Sequence, residues 1–129
     1  MRKWIPALLL LALLAGCGGT AGPADGSYQI EVTLTGGTGR AWVESPAALR
    51  VEQGAMTAAL VWSSPNYDYM LVDGERYEPE IIDGHSVFRV PVAALDRELE
   101  MTADTVAMST PHEIVYTLYF DSSTLEEAS

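Results

Sequence analysis

Apolar and polar residues alternate along most of the chain after residue 26, which is the pattern of strands that bury one face. In the clearest segment Tyr28, Ile30, Val32 and Leu34 alternate with polar residues. No segment of useful length has a helical period, and only residues 93–96 are compatible with one helical turn. The other segments with strand character are residues 40–44, 49–51, 56–62, 67–72, 76–82, 87–92, 99–106 and 114–120.

Turn residues separate these segments at regular intervals. Asp73-Gly74 and Asp83-Gly84 are strong signals for tight hairpins, and Gln53-Gly54 marks a further turn. About eight short strands with turns at this spacing predict an all-β chain folded as an antiparallel β-sandwich. The large aromatic residues expected in its core are Trp42, Trp62, Phe88 and Phe120.

The N-terminus has a different pattern. Arg2 and Lys3 precede an apolar run over residues 4–15, which is shorter than the roughly 20 residues that cross a bilayer. A basic start and a short apolar run are typical of a signal peptide. The run ends in Leu14-Ala15-Gly16-Cys17, which resembles the lipobox of bacterial lipoproteins. We therefore expect a signal peptide over residues 1–16 and a lipid thioether on Cys17; the alternative is an ordinary signal with a chance cysteine.

Lipidation at Cys17 predicts an extracytoplasmic protein that is anchored to a bacterial membrane, in either type of envelope. Because Cys17 is the only cysteine, the domain has no disulfide and depends on its core. Residues 17–26 are rich in glycine, proline and small residues, as in a flexible tether. One domain is expected over residues 27–124, followed by a short tail over residues 125–129.

The charge is strongly acidic. Without residues 1–16 the chain keeps five arginines against 18 acidic residues, a formal charge of −13, and it contains no lysine. Such a surface argues against nucleic acid as a partner, because phosphates require Lys and Arg. It is typical of a self-repelling protein surface, with attraction of cations as the alternative.

The sequence lacks the motifs of common enzymes. It contains no Gly-x-Ser-x-Gly, no His-Glu-x-x-His, no phosphate-binding glycine loop and no Cys-x-x-Cys. Its two histidines, His85 and His112, have no spacing that supports a catalytic triad. We therefore do not expect an enzyme.

Two segments carry residues that bind ligands in other proteins. The first is residues 62–70, and the second is residues 107–116. Residues i and i+4 of a strand share a face, so His112 and Tyr116 would point the same way. His, Tyr and Met can ligate iron or copper, although each would equally serve as ordinary core or loop residues. The candidate ligands are His112, Tyr116, Met108 and Met70, and the candidate pocket residues are Tyr67, Tyr69, Ser63, Ser64 and Trp62.

Several segments together resemble NEAT (near-iron-transporter) domains. They are residues 25–32, residues 46–54, Ser63-Ser64, residues 72–77 and residues 116–121, which fall in matching order. The resemblance implies an immunoglobulin-like β-sandwich at the bacterial surface that binds haem and passes it toward an importer.

The resemblance also assigns roles to single residues. NEAT domains bind haem through a Tyr-x-x-x-Tyr pair, in which the first tyrosine binds iron and the second supports it. Tyr116 matches the second position and His112 replaces the first. Residues 36–44 lack the short helical lip that covers haem in the family, so Tyr67, Tyr69 and Met70 would supply the cover.

Three functions follow. The first is a haem- or iron-binding lipoprotein that feeds an uptake system. The second is a lipoprotein that binds a copper or iron ion through His112, Met108 and Met70. The third is a β-sandwich interaction module without a small ligand, which would use residues 67–70 as its contact surface, because Tyr and Met are enriched in interfaces.

Overall fold

The computed structural model describes residues 23–37, 39–106 and 112–128, which form strands and no helix. No helix long and apolar enough to cross a membrane occurs in these residues. The signal peptide, Cys17 and most of the tether lie outside them. The strands are β1 (Gly26–Gly36), β2 (Ala47–Glu52), β3 (Ala55–Val61), β4 (Tyr67–Val72), β5 (Glu75–Tyr77), β6 (Glu80–Ile82), β7 (His85–Val92), β8 (Glu98–Thr105) and β9 (His112–Glu127).

The nine strands form one antiparallel sheet with the order β5-β4-β8-β9-β1-β2-β3-β7-β6. The sheet curls, because β4 and β5 at one end approach β7 near the other. Its concave face therefore closes on itself and encloses one apolar core. The predicted all-β, antiparallel, sandwich-like fold is confirmed.

The core contains the inward residues of every long strand. In β1 and β9 every second residue is buried over Tyr28–Val32 and over Tyr116–Phe120, as the alternation predicts. Trp62, Phe88 and Phe120 are fully buried, as expected. The prediction is wrong for Trp42, which is 48% exposed. Its neighbour Val43 takes the inward position through an isolated bridge to Trp62, so the alternation turns Trp42 outward.

Four predicted segments differ from the observed structure. Residues 40–44 form only the single bridge at Val43. The segment over residues 76–82 divides into β5 and β6 around Glu78-Pro79, because proline has no N–H for a ladder. The expected helical turn at residues 93–96 is not helical. β9 continues through Glu127, beyond the expected domain end at residue 124, because Glu127 still pairs with Tyr28 of β1.

The two ends of the sandwich have different content. One end, the terminal pole, holds both described chain ends, since Gly26 pairs with Val51 and the Ala128 N–H bonds to the Ser27 carbonyl. Asp25 fixes the β2–β3 turn there by accepting the N–H groups of Gln53 and Gly54 at 2.8 and 3.2 Å. The opposite end, the loop pole, holds the β1–β2, β3–β4 and β6–β7 connections and the start of β9. The two poles are about 33 Å apart along β1.

Candidate binding site at the loop pole

The sheet brings together the two segments that the sequence singles out. Tyr67 of β4 pairs with Thr105 of β8, which pairs in turn with His112 of β9. Across the same strands the Tyr69 hydroxyl donates a hydrogen bond to Glu113. Residues far apart in the chain therefore form one surface at the loop pole. Met108 lies outside the described residues.

Three aromatic rings form the floor of this pole. The Trp62 ring lies 4.4 Å from that of Tyr67 and 5.2 Å from that of Tyr116, measured between centroids. All three residues are at least nine-tenths buried. The indole Nε1 of Trp62 is buried without a hydrogen-bond partner among the described residues. The cluster is a rigid apolar base with one unused donor.

Tyr116 is held as a neutral phenol. Burial is the main cause that raises the pKa of Tyr116 to about 12, and the neighbouring Tyr67 adds to it by its charge and by a hydrogen bond. Iron binds tyrosine as phenolate, and this environment disfavours that form. Tyr116 is therefore suited to pack and hydrogen-bond beneath a ligand rather than to ligate iron.

Two glycines let the β1–β2 connection pass directly over Tyr116. A Cβ at Gly36 would lie 2.9 Å from the Val115 carbonyl oxygen, and one at Gly37 would lie 3.2 Å from the Tyr116 ring. Both glycines have positive φ, +123° and +63°, which is costly for other residues. This close approach seals Tyr116 from solvent.

Hydrogen bonds to β7 fix the β3–β4 loop. The Ser86 N–H donates to the Ser64 carbonyl at 3.0 Å, and the Ser86 hydroxyl donates to the Tyr67 carbonyl at 2.9 Å. Ser64 Oγ accepts the Asn66 N–H at 3.2 Å, while Ser63 is half-buried. The two predicted pocket serines therefore lie in this braced loop, where Ser64 shapes the turn.

His85 lies at the loop pole, although no role was predicted for it. Its Nδ1 lies 2.7 Å from the Trp62 carbonyl oxygen, so Nδ1 carries the proton in this contact. Its ring is 6.0 Å from that of the exposed Trp42. The predicted strand began at residue 87, so its pattern did not include His85, which is the first residue of β7.

The candidate ligands differ in access. His112 is exposed at the first position of β9, whereas Tyr116 is 2% exposed and Met70 is fully buried. The regular β8–β9 register keeps His112 and Tyr116 on the same face of β9, as predicted. Met70 points into the core and cannot reach a surface ligand. No group of three or more His, Cys, Asp or Glu side chains able to hold a metal occurs in the described part of the chain.

Charged and polar side chains cover the outer side of β4. The Arg76 guanidinium lies 4.0 Å from the centroid of the Tyr69 ring, and Arg76 Nε lies 2.5 Å from Glu78. The hydrogen bond to Glu113 is the first cause that raises the pKa of Tyr69 to about 12, followed by burial and by the charge of Asp104. Tyr69 is thus a neutral hydroxyl that is already engaged.

Asp104 is a buried acidic residue that the sequence did not single out. It is 2% exposed, although aspartate is rarely buried without a partner. The available signal was an acidic residue within the otherwise apolar and small-residue run of residues 101–107. Its partner Asp68 is distant in sequence, so no local pattern could identify the pair.

Comparison of the chain with protein-family models and with curated proteins finds no match. The resemblance to NEAT domains therefore stays a prediction that rests on the quoted residues.

Proposed function

We propose that this chain is a lipid-anchored extracytoplasmic lipoprotein that binds haem at the loop pole and passes it to an uptake system. The observation that carries the proposal is the convergence of residues 62–69 and 112–116 at one pole, where the exposed His112 stands beside a buried aromatic floor. A porphyrin needs an apolar surface together with an axial ligand. In this proposal His112 would supply the axial ligand, and the aromatic floor would support the porphyrin from below.

His112 is the residue we assign to the iron. Imidazole is a good haem ligand, and His112 is the one candidate among the described residues whose side chain is exposed. Tyr116, kept neutral by burial, would support the site from below, and Met70 would stay in the core. Haem would supply a ferric centre that accepts the imidazole nitrogen.

The arrangement of the poles suits a relay protein. The described chain begins at the terminal pole, so an anchor on Cys17 would place that pole toward the membrane. The loop pole would then be held about 33 Å farther away, which is the length of β1. A ligand bound there stays accessible to a donor or an importer.

Hemin titration of the detergent-purified protein tests the haem proposal. We expect a saturable Soret shift at one equivalent, which is lost in His112→Ala and retained in His85→Ala. The second variant is a matched control, because the chain has only these two histidines. A wild type without a saturable shift, or an unchanged shift in His112→Ala, would contradict the proposal.

Lipid anchoring is tested separately. In bacteria fed a labelled fatty acid, the wild type should carry the label and fractionate with membranes. A Cys17→Ser variant should lose both properties, because no other thiol can form the thioether. Label that persists in Cys17→Ser would rule out this anchor.

A protein-interaction module is the second candidate, and one observation favours it. Trp42 is 48% exposed next to His85, and Ile82, which pairs with His85, is 43% exposed. Tyr67 and Met70 of the predicted contact surface are buried, so Trp42 is the better centre for a contact. A photo-crosslinking residue at position 42 should capture one specific partner in cells, and one at the exposed position 119 should not. Equal capture at both positions would argue against this interface.

A further inference from the structure

Asp68 and Asp104 face each other across the β4–β8 seam because β4 contains a bulge. Tyr67 pairs with Thr105 and Tyr69 pairs with Asp104, so Asp68 is the extra residue between the two pairs. A bulge redirects the side chain at the extra position. Here it turns Asp68 toward Asp104, close enough for the Asp68 carboxyl to add to the rise in the pKa of Asp104.

The Asp68–Asp104 pair lacks hydrogen-bond donors. One oxygen of each side chain, Asp68 Oδ1 and Asp104 Oδ2, is buried without a donor among the described residues. Two ionised carboxylates can only accept hydrogen bonds, whereas a protonated carboxyl can donate one. A proton on one of the two carboxyls would therefore supply the donor that the pair otherwise lacks.

The surroundings favour a proton in this place. Burial is the main cause that raises the pKa of Asp104, and its contacts with Asp68 and the charge of Glu113 on β9 add to it. The cation that faces the pair is Arg76 on β5, which opposes the rise but is engaged with Glu78. Tyr69 on β4 also faces Asp104 and is neutral. Acidic neighbours therefore outweigh the single opposing charge.

We propose that Asp68 and Asp104 form a proton-binding site, in which one shared proton fastens β4 to β8 beneath the loop pole and its release loosens that seam. The bulge lies between Tyr67, which is part of the aromatic floor, and Tyr69, which bonds to Glu113. Loosening the seam shifts both tyrosines. The site thus links external pH to the geometry of the loop pole.

Stability should fall as pH rises, because burial raises the pKa of Asp104 in the folded protein. Because the folded protein binds this proton more tightly than the unfolded chain, the stabilisation is complete below the ordinary pKa of aspartate. It is lost as pH rises through the raised pKa of Asp104 in the folded protein. Between these limits one extra bound proton changes the unfolding equilibrium by about tenfold per pH unit.

Urea unfolding between about pH 4 and pH 8 measures this slope. Asp104→Asn replaces the shared proton with a permanent amide donor. The free energy of unfolding of this variant should therefore depend less on pH than that of the wild type, by the equivalent of about one proton. Asp73→Asn is the matched control, because Asp73 is an exposed turn residue with φ +51° that asparagine tolerates. It removes the same charge and should keep the wild-type slope.

Infrared spectroscopy gives a second readout that does not depend on stability. At pH values above the normal range of aspartate titration, the folded wild type should still show the infrared band of a protonated carboxylic acid. Asp104→Asn should lack this band. Equal pH slopes in wild type and Asp104→Asn, or no such band, would overturn the proposal. Stabilisation by calcium that is reversed by a chelator would also overturn it, because a cation would then bridge the carboxylates.

Discussion

Single side chains at the loop pole are fixed by contacts that local sequence does not show. Trp62 and Tyr116 are 54 positions apart in the sequence, yet their rings are 5.2 Å apart. The hydroxyl of Tyr116 is buried and bonded to Tyr67. A buried hydroxyl that loses its partner costs more than the bond contributes, because it has been removed from water.

We predict that Tyr116→Phe destabilises the protein by about 1 kcal/mol, because the ring still packs but Tyr67 loses the hydroxyl of Tyr116 as its hydrogen-bond partner. Urea unfolding measures the change in the free energy of unfolding. Tyr119→Phe is the control, because Tyr119 is 38% exposed on the outer face of β9. This substitution should have almost no effect on stability. Equal effects of the two substitutions would show that the Tyr67–Tyr116 bond contributes nothing.

Among the elements, the long strands are predictable and their connections are not. The central parts of β1 and β9 bury every second residue, and this alternation is visible in the sequence. The division at Pro79 follows from a proline that the sequence shows, whereas the outward turn of Trp42 depends on the bridge of Val43 to Trp62, which is decided by the whole sheet.

The candidate site is predictable to a similar extent. The two candidate segments, residues 62–70 and 107–116, were recognisable from their residue types. The burial of their side chains was not. Met70 and Tyr116 are buried because the sheet curls over them. The pairing of Asp68 with Asp104 depends on a bulge, which no periodicity in β4 reveals.

The close contact between β1 and β9 requires glycine at position 36. Gly36→Ala should destabilise the protein by about 3 kcal/mol, because its Cβ would meet the Val115 carbonyl oxygen at 2.9 Å and its φ is +123°. Gly84→Ala is the control, since Gly84 has φ +81° but open space around its Cβ, and it should cost about 1 to 2 kcal/mol. Thermal and urea unfolding compare them. Equal losses would mean that backbone strain alone, and not the close approach, makes glycine necessary at position 36.

Electrostatic repulsion acts on the molecule as a whole. Three of its five domain arginines form ion pairs, Arg50–Glu52, Arg76–Glu78 and Arg89–Glu80, and all of these are more than half exposed. Exposed pairs contribute about 0–1 kcal/mol each. The unpaired acidic groups greatly outnumber these pairs, so net repulsion should outweigh them.

We therefore predict that salt stabilises the protein. Raising sodium chloride from about 0.01 to 0.1 M shortens the screening length from about 30 to 10 Å, which weakens repulsion more than it weakens the short ion pairs. The melting temperature should rise by several degrees, about 4–8 °C for each kcal/mol gained. Tetramethylammonium chloride should give the same rise. A rise with sodium alone would indicate a specific ion instead, and a fall would contradict the prediction.

Three hairpin turns share one backbone conformation, with φ +51° at Gln53, Asp73 and Asp83 and φ +81° at the following glycines. Two of these turns are Asp-Gly pairs exposed to solvent, a sequence in which the glycine nitrogen can attack the aspartate side chain and form a succinimide. Its opening to isoaspartate inserts a methylene group into the main chain. At Asp83 that insertion would shift the β6–β7 register beside His85. During prolonged storage, chemical ageing would therefore begin at these two turns and spare Gln53.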